Sequence, residues 1–67
     1  MIYQEITLVK RDQSILHFKS KGNIGGVACL DGMIRIDHEA DGKDRNTFFP
    51  VDAVKHIEVK WCNDENY

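Results

Sequence analysis

The residue types best suited to chemistry fall between Asp37 and Pro50, "DHEADGKDRNTFFP". Asp37, Glu39, Asp41 and Gly42 match positions 1, 3, 5 and 6 of a calcium loop of the form D-x-[DN]-x-[DN]-G-x₅-E, if Glu is allowed at the third. The twelfth position of such a loop supplies a bidentate carboxylate, but here it is Phe48, and the ninth is the cation Arg45. Losing that carboxylate removes two oxygens and a full charge from the shell of a hard cation, and Lys43 and Arg45 would repel the ion. The same residues suit a hairpin turn, with Gly42 at positive φ and Asp41 bonding its own backbone. The sequence therefore predicts a solvated turn and no metal site.

Three histidines and two cysteines could in principle build a tetrahedral zinc site, but none are spaced at two to five residues. His17 and His56 fall opposite apolar strand positions and are predicted exposed. His38 is in phase with Ile34 and Ile36, which predicts partial burial and a backbone partner. Cys29 in "VACL" reads as a small buried hydrophobe and Cys62 as a residue beside a polar tail, both reduced thiols. Cys29 with any histidine supplies the residue types of a nucleophile and base, but in no recognised pattern. "GNIGG" has the glycines of a phosphate loop without the lysine or the helix that must follow. Catalytic residues, metal and cofactor are all expected to be none, and the chain to be non-enzymatic.

The elements that position these residues show a period of two. Ile2, Ile6 and Leu8 alternate with Tyr3, Glu5, Thr7 and Val9, and Leu16 and Phe18 flank His17, which predicts two strands joined by a hairpin at "KRDQ", Lys10 to Gln13. "KGNIGG" disfavours helix and strand alike, "VACL" supplies a short strand, and "DG" at Asp31 and Gly32 a tight turn. Ile34, Ile36 and His38 share one face of the next strand, with Met33, Arg35 and Asp37 on the other. An extended "RNTFFP" is ended by Pro50, which has no amide donor. "VDAV" allows one helical turn at about 51–54, and Ile57, Val59 and Trp61 alternate with His56, Glu58 and Lys60. The fold class is all-β: an antiparallel meander of five to six strands curling into a small barrel over residues 1–62, with a frayed polar tail at 63–67.

From Thr47 to Val59, "TFFPVDAVKHIEV", the order of aromatic strand, proline, helical turn and final strand resembles the C-terminal end of SH3-like barrels. Sm-like barrels share the bent meander and a similar final strand. The resemblance implies a fold and carries over no ligand or site.

Charge and size narrow the partners. A chain of 67 residues with 42% hydrophobic content holds one domain and gains only a few kcal/mol of net stability from its core, so self-association is expected. No charged n-region followed by an apolar h-region opens the chain, which makes a cytoplasmic location the default and a membrane partner unexpected. Net charge is −2, and residues 30–67 hold nine of the eleven acids, which disfavours nucleic acid. The first reading is thus protein contact, as a self-associating subunit or a regulator, through Phe49 and Trp61 with an acidic rim of Asp37, Glu39, Asp41 and Asp44. Of the pair Phe48 and Phe49, only one can enter a single core. The second reading is a nucleic-acid-binding barrel of Sm-like or OB-like type, using Lys10, Arg11, Lys19 and Lys21 with Phe18 as a stacking platform. So short a chain is also compatible with a phage or mobile-element origin.

Overall fold

A computed structural model of the chain describes residues 2–21 and 26–63. Among these residues the protein is all-β, with six strands and one short 3₁₀ turn: β1 (Ile2–Lys10), β2 (Ile15–Lys21), β3 (Val27–Leu30), β4 (Met33–Ala40), β5 (Lys43–Pro50), the turn Val51–Ala53, and β6 (Val54–Asn63). They form two three-stranded antiparallel sheets, ordered β2-β1-β6 and β3-β4-β5. None of the described helical segments is long and apolar enough to cross a membrane.

The alternation seen in the sequence fixes the two inner faces. Ile6 and Leu8 pair with Phe18 and Leu16 on one side and with Val59 and Ile57 on the other. Ile34 and Ile36 pair with Phe49 and Thr47. The inner faces meet in a core of Ile6, Leu8, Ile34, Ile36 and Val54, fringed by Leu16, Phe18, Val27, Phe49 and Ile57. Two polar side chains, Gln4 and Ser20, are buried with them. Gln4 Oε1 accepts a hydrogen bond from the Gly26 amide at 3.4 Å, so a buried acceptor has a partner.

Both "DG" dipeptides make the hairpin turns expected of them. Asp31 and Gly32 have φ of 52° and 74°, and Asp41 and Gly42 have 55° and 76°. Positive φ at both central residues matches the right-handed twist of the flanking strands. The first hairpin turns at residues 11–14, where Gln13 takes φ 79° and Ser14 N–H donates to Asp12 Oδ1 at 2.9 Å. These bonds from Ser14, with Lys10 nearby, hold the Asp12 carboxyl below its ordinary value of 3.8. A carboxylate with a depressed folded pKa stabilises the fold above the unfolded value, and that contribution is lost as pH falls through the folded one. Asp12→Asn is therefore expected to have a lower urea midpoint than wild type near pH 7, with the gap closing as the pH falls through the carboxyl's lowered folded pKa. A gap that persists in acid would assign the effect to something other than the charge.

The 3₁₀ turn is tied to both sheets. Val51 N–H donates to the Gly32 carbonyl at 2.9 Å, and Arg11 N–H to the Ala53 carbonyl at 3.0 Å. The Arg11 guanidinium adds a bond from Nε to the Asp52 carbonyl at 2.7 Å.

Candidate functional site

The outer face of the β3-β4-β5 sheet changes character along its length. Cross-strand partners share a face, so the pairings Leu30↔Met33, Met33↔Pro50, Ala28↔Arg35 and Arg35↔Phe48 build an apolar end around one guanidinium. Leu30 is 69% exposed and Phe48 57%. With Ala28, Met33 and Arg35 they line a groove of about 370 Å³. Further along β4 and β5, Asp37 pairs with Asn46 and Glu39 with Asp44, which makes the far end of the same face acidic. At a rise of ~3.3 Å per residue, Asp44 lies about 13 Å from Phe48. Arg35 stands at the boundary, its Nε 3.1 Å from Asp37 Oδ1.

The acidic rim of the sequence reading is brought together here: Asp37, Glu39 and Asp44 on one face, with Asp41 in the turn beyond. Glu39 also carries an ion pair of 2.9 Å with Lys21 Nζ, which reaches across from the other sheet. The aromatic half of that reading needs a correction. Phe49 is turned inward against the core, and Phe48 is the exposed member of the pair. Ile34, opposite Phe49, has its side chain in the core, and opposed residues must share a face. Trp61 is 55% exposed, but on the other sheet.

The basic set is divided. Lys10 pairs with Asp12 at 3.8 Å, and Arg11 is occupied with the 3₁₀ turn. Lys19 lies opposite Glu5, about 17 Å along the strand from Lys10, with its ammonium 5.5 Å from the Tyr3 ring centre. Phe18, the expected stacking platform, faces inward, 4.8 Å from the His38 ring and 6.3 Å from Phe49. A base cannot stack on a ring that is packed against the core.

The remaining chemistry-bearing residues do not converge. Among the described residues no three His, Cys, Asp or Glu side chains gather to hold a metal ion, and the turn at Asp41 and Gly42 is a two-residue hairpin. His38 is half-buried as expected, but its partner is the Thr47 hydroxyl, 2.7 Å from Nε2, and not a backbone group. His17 and His56 are exposed, beside Thr7 and Glu58 respectively. Cys29 is exposed, contrary to the buried reading, because β3 is an edge strand of four residues with no further strand beyond it among the described residues. Both described thiols are unbridged. A shallow cleft of about 700 Å³ between the first hairpin and the end of β4 is lined by Glu5, Thr7, His17, Lys19 and Glu39 among others, with the Thr7 hydroxyl 3.3 Å from His17 Nδ1.

Sequence reasoning missed the Leu30, Met33 and Phe48 cluster. The signal was present in "CLDGM", where a two-residue turn must place Leu30 directly opposite Met33. Comparison with known proteins finds no matching family model, no matching curated protein and no matching solved structure.

Proposed function

We propose that this protein is a small, non-enzymatic binding module of SH3-like barrel type that works by protein contact through the outer face of β3-β4-β5. The barrel reading is supported by the order of the elements: a hairpin, a short strand, two further antiparallel strands, a 3₁₀ turn and a closing strand returning to β1. Packing of β2 on β4 adds to it. The observation that carries the function is the pair of large apolar side chains, Leu30 and Phe48, held in water on a rigid sheet at the rim of an acidic strip. Clustered exposed apolar side chains on a rigid scaffold mark contact sites, and charge at their rim sets partner choice and encounter rate. The partner this face fits carries an apolar residue or two followed by lysine or arginine about 13 Å away.

The test is capture by the immobilised chain from a lysate of the cells that make it, comparing wild type with Phe48→Asp and Leu30→Asp. A protein retained by wild type and reduced at least about tenfold by either substitution is expected, with weaker retention at high salt. Equal recovery on all three would overturn the assignment of the face. Retention of nucleic acid in its place, lost on reversing Lys19 and Lys21, would favour the Sm-like alternative.

A further inference from the structure

Among the described residues four strands lie at sheet edges, and three of them are protected. β2 is packed on β4, β3 is only four residues long, and β5 is polar from Lys43 to Asn46 and ends in Pro50. These are the usual devices against edge pairing. β6 carries Lys55, Glu58 and Lys60 and a register shift against β1 near its start, but it is neither short nor ended by proline, and no other strand among the described residues covers its outer edge. It is the longest strand, ten residues without proline, and it meets β1 along one side only. Its residues Ile57, Val59 and Trp61 stand opposite Leu8, Ile6 and Gln4, and so lie on the inner face of their sheet. Yet Val59 is 44% and Trp61 55% exposed. An inward-facing apolar stripe therefore runs past the end of the core and out along an open edge.

We propose that this edge pairs with β6 of a second copy, antiparallel about a two-fold axis at Val59, joining two three-stranded sheets into one of six. The charges choose the register. With Val59 on the axis, Val59 meets its own copy, Ile57 of each chain meets Trp61 of the other, and Glu58 of each chain meets Lys60 of the other. The inner stripe is then continuous and both outer-face contacts are attractive. Placing Glu58 or Lys60 on the axis sets like charges directly opposite each other. Moving the axis to Ile57 sets Val59 against Lys55. A shift to the opposite parity joins the inner face of one sheet to the outer face of the next. A 67-residue chain whose core cluster holds five buried side chains among the described residues gains from such closure. The surface is separate from the Leu30 and Phe48 face and does not depend on its role.

The test is the solution mass by light scattering from about 10 µM to about 500 µM, for wild type, Glu58→Lys, Lys60→Glu and the double exchange. The three variants alter exposed outer-face residues, and circular dichroism checks that each is folded. Wild type is expected at twice the chain mass, and each single exchange, which places like charges opposite at two symmetric points, is expected to weaken the dimer about tenfold or more. The double exchange restores it. Val59→Lys, with two ammonium groups on the axis, is expected to be monomeric. A wild-type monomer throughout the range overturns the proposal, as does a dimer indifferent to the single exchanges. A mass above two chains also overturns it, because an isologous contact closes at two.

Discussion

Ile36→Ala is expected to leave the chain unfolded at 25 °C, whereas Ile36→Val stays folded with a lower urea midpoint. Ile36 is 0% exposed and sits between Val27 on β3 and Thr47 on β5, in a core of five buried side chains. Truncating a buried isoleucine to alanine costs about 2–5 kcal/mol, the lost transfer energy plus the cavity left behind, and the valine change about 0.5–1.5 kcal/mol. A domain of this size holds only about 3–5 kcal/mol in total from its core. The larger loss matches the whole reserve and the smaller one does not. Far-ultraviolet circular dichroism with a urea titration separates the two outcomes. A cooperative transition for Ile36→Ala within about 1 kcal/mol of wild type would place the centre of the core elsewhere.

Gly26→Val is expected to be as damaging, for the opposite reason. A Cβ at this position lies 2.8 Å from Ile6 Cδ1, 3.1 Å from Ser20 Cβ and 3.2 Å from Ser20 Oγ. Ile6 is 1% exposed and has nowhere to swing, and the Cβ of Ser20 moves only with its backbone. Nor can Gly26 retreat, since its carbonyl accepts from the Asp37 amide at 2.7 Å and its own amide bonds Gln4. Overpacking a closed site costs about 1–3 kcal/mol, and a branched side chain falls at the upper end. Gly42 gives the contrast. Nothing lies within 4 Å of a Cβ there and its φ is +76°, a region that asparagine tolerates, so Gly42→Asn is expected within about 0.5 kcal/mol of wild type. Equal midpoints for Gly26→Val and Gly42→Asn would show that β1 and β2 yield at Gly26.

Much of the fold was legible because period two and "DG" turns are local signals. Ile6, Leu8, Ile34 and Ile36 alternate cleanly, Asp31 and Asp41 each precede a glycine, and the strands, hairpins and helical turn follow from these. What was illegible depended on which strands become neighbours. Phe48 and Phe49 are equivalent until the register with β4 is known, and only the pairing of Ile34 with Phe49 sends Phe48 outward. Ile57, Val59 and Trp61 read as one apolar face, yet the core covers only its first residue well, because among the described residues no strand lies beyond β6. Lys10, Arg11, Lys19 and Lys21 look like one basic cluster in a hairpin, but they fall at opposite ends of it. Tyr3, which alternates with the apolar Ile2 and Ile6, is nonetheless buried beneath Lys19, a cover supplied by a side chain on the neighbouring strand. The shared face of the acidic residues was legible from spacing alone, since Asp37 and Glu39 alternate along one strand and Asp44 is returned to that face by the turn between them.

Photo-crosslinking in living cells tests the proposed docking face most directly, with a benzophenone amino acid placed at position 48 and, separately, at position 17. Both positions are exposed on strands, one on the outer face of β3-β4-β5 and the other on the outer face of β2-β1-β6. The expected result is a discrete crosslink from position 48 to a protein other than this chain, with none from position 17. No crosslink from position 48, or equal crosslinks from both, would contradict the assignment of that face as the contact surface.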